Sequence, residues 1–264
     1  MSRLNSTSAA VAALIVSLAG PVWAADLCEG FGPQTPRDIS ERAGSNARVF
    51  TLAPAASAMN LCDIHFHVNA EHKGPGYSVF AGDGEHGGYQ CNETAELTEA
   101  ERTDPEGAHG ACHGLHAGDT IEVHWVYTSC DVDPGPGLGS CLSDACANPQ
   151  LRVESQVFLV VNDDSALDFA DFTYDSQMMN GLHQAKALPT GTGEPVVFPG
   201  STTGPKYTQA ECSPMQVTWS VRPSCAKVNI SSVHAWCGNN AFGEDHAHGV
   251  RQLVTATELL APME

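Results

Sequence analysis

The stretch that decides the fold runs Cys62-Asp63-Ile64-His65-Phe66-His67-Val68-Asn69-Ala70-Glu71-His72. Two histidines stand two positions apart in it, and apolar residues precede, separate and follow them. In a β-strand, residues i and i+2 point to the same face of the sheet. A strand here therefore places His65 and His67 side by side on one face. The apolar residues around them then face a core on the other side.

A second strand-like segment, residues 119–128, carries another histidine in the same alternation. One face carries Thr120, Glu122, His124 and Val126, and the other carries Ile121, Val123, Trp125 and Tyr127. An acid and an imidazole on a mostly apolar strand are costly to bury unless they are paired or bind something. Because zinc takes four donors and a catalytic site leaves one for water, His124 is the candidate for a third metal ligand beside His65 and His67.

The length and net charge of the chain limit the classes of protein to which it can belong. The chain has 264 residues, which suits one large domain or two small ones, and its formal net charge is −19. A strongly acidic surface argues against nucleic acid and anionic lipid as partners. The apolar run at residues 9–18 is too short to span a bilayer, and no later run is long enough. We therefore expect no membrane insertion once the leader has been removed.

The N-terminus has the pattern of a secretory signal peptide. Arg3 supplies the charge, residues 9–18 the apolar region, and Val22-Trp23-Ala24 a small-residue cleavage site. The 10 cysteines all follow this site, and their even number indicates a disulfide framework. We expect residues 1–24 to be removed and residues 25–264 to form one functional domain of a secreted or periplasmic protein.

Strand-like segments recur through the chain, and helical segments are few. We predict strands at residues 61–68, 77–81, 119–128, 151–161, 195–198, 216–221 and 228–233, and helices near 96–101 and at 251–260. Cys91 and Cys112 are predicted to staple the ends of the polar excursion at residues 82–116. The expected fold is mainly β: a single domain built on a central, mostly antiparallel sheet, with long disulfide-braced loops and few short helices.

Three segments, in this order, resemble carbonic anhydrases. The first is His65-Phe66-His67, which resembles the ligand pair of the alpha class. Glu-Val-His-Trp-Val at 122–126 resembles the strand that carries its third histidine, and Pro-Gly-Ser-Thr-Thr at 199–203 resembles its P-G-S-L-T-T loop. The compact block that joins the histidine pair to Ala70-Glu71-His72, with the cysteine-rich excursion, is more similar to the delta class. The loop after Thr203 is longer here than in the alpha class.

The resemblance implies a zinc-dependent enzyme, a carbonate dehydratase of the lyase class, with a carbonic anhydrase-like catalytic domain at residues 25–264. It would hydrate CO2 reversibly to bicarbonate and a proton by a zinc-bound hydroxide. The implied ligands are His65, His67 and His124, and Co2+ or Cd2+ also suits such a site. Three neutral imidazoles lower the pKa of bound water to about 7, an effect for which carbonic anhydrase itself is the standard example.

The resemblance also assigns roles around the ligands. Glu122 should hold the imidazole of His124 in one tautomer, although it also suits a partly solvated strand acid. Glu71 should receive the proton of a gate threonine, whose oxygen then accepts the hydrogen of the hydroxide. That threonine is Thr203, or Thr202 if the loop is one residue shorter. Both threonines also suit simple turn chemistry.

A substrate pocket and one disulfide follow from the same resemblance. Val126 resembles the pocket valine that holds CO2, with Leu159 or Val161 beside it. All three also suit ordinary core packing. The cysteine before the 216–221 strand resembles one that bonds to an N-terminal cysteine in exported alpha-class enzymes, which implies the pair Cys28–Cys212.

Two other interpretations remain open from the residues. His65-x-His67-x3-Glu71, completed by His124, fits a cupin site of three histidines and one glutamate for iron or manganese. An exported, non-enzymatic metal-binding protein would need the ligands but no open coordination position. A second HxH, residues 246–248, has no strand-like flanks and is interpreted as a solvated loop or an adventitious metal site. The expected small-molecule partners are CO2 and bicarbonate, and the oligomeric state is left open.

Overall fold

A computed structural model describes residues 27–28, 30–48, 50–105 and 107–263. The predicted leader at residues 1–24 lies outside these described residues. Among the helices of the described ranges, none is long and apolar enough to cross a membrane.

A six-stranded mixed sheet organises the chain. The strands, in chain order, are β1 (Asn60–Val68), β2 (Val79–Gly82), β3 (Gly88–Gln90), β4 (Thr120–Thr128), β5 (Leu151–Val161), β6 (Met178–Met179), β7 (Leu182–His183), β8 (Val196–Ser201), β9 (Gln216–Val221) and β10 (Ala226–Asn229). The large sheet has the order β1-β4-β5-β9-β8, and β10 also pairs with β5. Strands β9 and β10 run parallel to β5, and the other pairings in this sheet are antiparallel. The predicted mainly β single domain is confirmed.

Helices are few and short in the described ranges. They are α1 (Glu99–Arg102) and α2 (Ile230–Cys237), with 3-10 turns at Ala56–Ala58, Asn92–Glu96, Gly107–His109, Leu138–Cys141, Phe169–Phe172 and Thr257–Leu259. The strand predicted at 228–233 ends at Asn229. The Asn229 side chain accepts hydrogen bonds from the backbone N–H groups of Ser231 and Ser232 and so caps the start of α2.

The helix predicted at residues 251–260 is wrong, because only its last part forms a 3-10 turn. The backbone N–H of Val254 donates to Pro36 O, 2.9 Å away, instead of to a helical carbonyl. Val254, Leu259 and Leu260 are buried in a small cluster with Cys212. Their apolar spacing therefore reflects packing of an irregular segment and not a helical face.

The register of the sheet brings the predicted histidines together. His65 lies opposite His124, and His67 lies opposite Glu122. Ser155 on β5 continues the row beyond His124. The alternate residues of the same strands pack with α2 in one core, and those of the histidine face pack in a second core.

Five disulfides tie the loops to the sheet, and no cysteine is free. The pairs are Cys28–Cys212, Cys62–Cys141, Cys91–Cys225, Cys112–Cys237 and Cys130–Cys146. The pair Cys28–Cys212 is the one that the resemblance implies. The predicted staple between Cys91 and Cys112 is wrong because the two side chains lie in different cores, on opposite faces of the sheet. So many disulfides indicate an oxidising compartment.

Candidate metal centre

Three imidazoles converge in the middle of β1 and β4. One ring nitrogen from each of His65, His67 and His124 lies within 4.8 Å of the others. Two of these nitrogens, His65 Nε2 and His124 Nδ1, are 3.3 Å apart. His67 and His124 are buried, while the side chain of His65 is 22% exposed. The three histidines are therefore arranged as a group that could hold one ion.

Each imidazole has its outer nitrogen next to an acceptor. The contacts are His65 Nδ1 with Asp63 Oδ2 at 2.7 Å, His67 Nδ1 with Gly249 O at 3.0 Å, and His124 Nε2 with Glu122 Oε1 at 3.2 Å. A proton on each outer nitrogen leaves the inner nitrogen with a free lone pair. His67 Nε2, an inner nitrogen, is buried without a hydrogen-bond partner, and His124 Nε2 approaches Glu122 without forming a hydrogen bond. These donors fit a metal, because outer-shell acceptors orient histidine ligands in this way.

The protonation states of the histidines also suit metal binding. Burial lowers the pKa of His67 well below its usual value and lowers the pKa of His124 to about 4. Both are therefore neutral at pH 7, which is the form that binds metals. For His65, burial also acts to lower the pKa, but the carboxylates of Asp63, Glu244 and Glu71 together outweigh it and raise the pKa. A metal at this site competes with a proton mainly at His65.

Glu122 is the buried acceptor at the centre of the outer contacts. Its carboxylate accepts the backbone N–H groups of Glu71 and His72 at 2.8 and 3.2 Å, and the Nδ1 of His72 at 2.8 Å. Ser155 Oγ donates to it as well. Burial acts to raise the pKa of Glu122, but His72 and His124 hold it well below its usual value. An ionised carboxylate next to His124 fits the predicted orienting role.

Glu71 lies behind the histidine group and not within it. Its Oε1 is 3.8 Å from His124 Nε2, the nitrogen that faces away from His65. Burial and the charge of Glu122 raise the pKa of Glu71 to about 7, and a hydrogen bond with Thr203 acts to lower it. Thr202 instead pairs its hydroxyl with Ser213. Thr203 is therefore the threonine beside Glu71. Glu71 is absent from the group of His65, His67 and His124, but it forms a second group of possible ligand atoms with His72 and His124.

A cavity of about 840 Å³ opens onto the three imidazoles. Its apolar lining includes Val126, Leu138, Val153, Val217 and Trp219. Leu159 and Val161, which were predicted to join Val126, are fully buried in the core and are not among the lining residues. Leu159 pairs with Thr120, four residues along β4 from His124, which is about 13 Å at about 3.3 Å per residue.

The sequence reasoning missed the contribution of the C-terminal segment. His248 N donates to Phe66 O at 2.8 Å, so this exposed segment is attached to the edge of β1 at His248, while His246 bridges to His113. Both histidines of this second HxH line the cavity. The contact between His67 and Gly249 spans 182 positions, so no local pattern could reveal it. Asp63 was also missed, although its place two positions before His65 gave a usable signal.

We predict that Asp63→Ala weakens zinc binding by about 10- to 100-fold, the range typical of lost outer-shell partners of a metal. The change leaves His65 Nδ1 without the acceptor that fixes its tautomer. Asp63→Asn keeps an acceptor oxygen and serves as the matched variant, with a smaller expected loss. Competition with a chelator measures both affinities, and equal affinity of Asp63→Ala and the wild type would contradict the role.

Three converging imidazoles beside an accessible cavity define a candidate metal site of the catalytic kind. The family model of delta carbonic anhydrase matches residues 56–232, more than half of the chain. The chain therefore belongs to the delta carbonic anhydrase family, whose reaction is the reversible hydration of CO2. No curated protein matches the chain. The matched range contains His65, His67, His124 and Thr203 but ends before Gly249.

Proposed function

We propose that the chain hydrates CO2 reversibly to bicarbonate and a proton at a zinc ion held by His65, His67 and His124. The observation that carries this proposal is the convergence of three imidazoles on one cavity, with the outer nitrogens of His65 and His67 hydrogen-bonded. A zinc ion bound there supplies a nucleophilic oxygen at neutral pH, because three neutral ligands lower the pKa of coordinated water to about 7. Co2+ and Cd2+ suit the same nitrogen donors.

Thr203 and Glu71 orient the reacting group. A hydroxyl has a single proton, and a Thr203 that donates it to the Glu71 carboxylate can only accept a hydrogen bond with its oxygen. Thr203 lies with the imidazoles in the lining of the cavity. It therefore favours a bound group that can donate a hydrogen bond to it. The lone pair of that group then faces the cavity.

The apolar side chains that line the cavity form the proposed binding surface for CO2. CO2 has no hydrogen to donate, and the side chains of Val126, Val153 and Val217 offer it a surface from which ordered water is easily displaced. The three valines come from neighbouring strands of the sheet and share the face of His124. The wall thus places an apolar substrate next to the polar imidazole group.

We predict that Val153→Phe lowers hydration without loss of zinc, because the larger ring fills the space beside His124 that CO2 must enter. Leu159→Ala is the matched core variant. It should lower the free energy of unfolding by about 2–5 kcal/mol and leave the rate per folded molecule unchanged. Stopped-flow hydration with metal analysis, and urea unfolding, measure the two effects. A slow Leu159→Ala enzyme of normal zinc content would mean that Leu159 shapes the pocket after all.

The direct test of the function is stopped-flow CO2 hydration by the purified, disulfide-intact protein. The zinc-loaded protein should hydrate CO2, the metal-stripped protein should not, and zinc should restore the rate at one ion per chain. Stoichiometric zinc without hydration would instead identify a non-enzymatic metal-binding protein.

We also propose that the protein is exported and works in the periplasm or outside the cell. The five disulfides support this, since such a framework persists in oxidising compartments. Residues 1–24 are the proposed leader and residues 25–264 the mature catalytic domain. N-terminal sequencing of the mature protein should begin at Ala25, and a retained Met1 would contradict cleavage.

A further inference from the structure

A fourth imidazole, that of His248, lies at the rim of the three-histidine group. Its ring centre is 5.4 Å from that of His65 and 5.9 Å from that of His67. The rings of the group itself are 5.2, 5.1 and 4.8 Å apart. His248 lines the same cavity, and its side chain is 45% exposed. It is therefore a nitrogen donor within a short side-chain movement of the group.

The backbone fixes where this imidazole can reach. His248 N donates to Phe66 O at 2.8 Å, and His248 is the register partner of His67 across the edge of β1. The Cα of His248 is thus held next to the strand that carries two of the ligands. A change of side-chain rotamer moves an imidazole by several ångströms without moving the backbone, so a rotamer change alone could bring the ring to the metal position.

Glu244 holds the imidazole in its present place. Its Oε2 lies 3.0 Å from His248 Nε2, and its Oε1 accepts the backbone N–H of Phe66 at 3.0 Å. The carboxylate is only 7% exposed, so water does not compete strongly for it. Asn240 fixes the backbone of Glu244 on both sides, by donating to its carbonyl and accepting from its N–H. The carboxylate therefore ties His248 to β1.

We propose that Glu244 is a positioning residue that keeps His248 from completing the metal coordination as a fourth nitrogen ligand. The proposal rests on the proposed function, in which His65, His67 and His124 bind the metal. Four imidazoles around zinc make a closed, structural type of site, whereas three leave one position open for chemistry. The contact between Glu244 and His248 thus decides whether this site stays open.

The test counts imidazole ligands in the full-length protein by X-ray absorption on bound zinc and by NMR couplings to bound 113Cd. The wild type should show three imidazoles, and Glu244→Ala should show four. Glu244→Ala should also lose zinc to a chelator more slowly than the wild type, although it hydrates CO2 about 10- to 100-fold less, the range seen for lost outer-shell partners. The double variant Glu244→Ala/His248→Ala should return to three imidazoles and regain most of the rate.

His116→Ala is the control, because His116 is an exposed histidine that contacts Asp119 and does not line the cavity. It should keep three imidazoles and the wild-type rate. Three imidazoles in Glu244→Ala, or a double variant as slow as the single one, would overturn the proposal. Four imidazoles in the wild type would also overturn it, even if Glu244→Ala failed to fold. A wild type with three imidazoles and no hydration would refute the proposed function alone, since the ligand count in Glu244→Ala still decides this proposal.

Discussion

Replacing His124 with alanine is expected to abolish stoichiometric zinc binding and CO2 hydration together. Structural zinc sites gain about 10–16 kcal/mol from their ligands, or about 3 kcal/mol for each of four. Losing one ligand therefore weakens binding by about 100-fold or more. Glu122 keeps its contacts with His72 and Ser155, so the variant should still fold. Metal analysis after dialysis, stopped-flow hydration and circular dichroism measure the three expectations.

His116→Ala is the control for that experiment. Its side chain is 60% exposed, contacts Asp119 and is not part of the cavity lining. It should keep zinc and the full rate. Retention of one tightly bound zinc by His124→Ala would show that His124 is not a ligand.

The second large effect is expected for the gate threonine. Thr203→Ala should keep zinc and lose about 10- to 100-fold in hydration rate, as is typical when a hydrogen-bonding group around a metal site is lost. Without the hydroxyl, the proposed acceptor for the hydrogen of the reacting group is gone, and Glu71 loses the neighbouring group that acts to lower its pKa. Thr202→Ala is the neighbouring control, because the Thr202 hydroxyl pairs with Ser213 and not with Glu71. Zinc content and stopped-flow rates separate the two threonines.

Glu71→Gln completes the comparison. It should keep zinc, because Glu71 approaches only the outer nitrogen of His124. Its rate should fall, since an amide can donate to Thr203 and reverse the direction of the hydrogen bond. Loss of zinc in Glu71→Gln together with full activity in Thr203→Ala would refute this arrangement and favour direct ligation by Glu71, as in a cupin.

The strands were predictable because side-chain alternation follows the pleat of a sheet. The predicted segments 151–161 and 216–221 coincide with β5 and β9, and the one at 119–128 begins one residue before β4. The same alternation placed Glu122 and His124 on one face. The pattern failed at 251–260, because a helical spacing of apolar residues cannot show that the backbone N–H groups bond elsewhere.

Long-range partners were beyond local reasoning. The Cys91–Cys112 pairing failed because sequence spacing does not show on which face of the sheet a cysteine lies. Glu244 bonds to Phe66 across 178 positions, and no motif announces that contact. The candidate ligands were predictable since they lie on regular strands, as do Asp63 and Glu122, whereas Gly249 and Glu244 belong to an irregular segment.

The C-terminal segment also makes the orientation of the candidate ligands depend on the order in which the chain is synthesised. Synthesis runs from the N-terminus, so all three candidate ligands emerge more than 100 residues before Gly249 and Arg251. Until then His67 Nδ1 lacks the Gly249 carbonyl, and Glu71 lacks the N–H of Arg251, which is 3.5 Å away in the folded chain. A nascent or truncated chain thus offers an ion only weakly oriented imidazoles. On the proposed function, tight metal binding is therefore expected only after the segment around Gly249 has packed against β1.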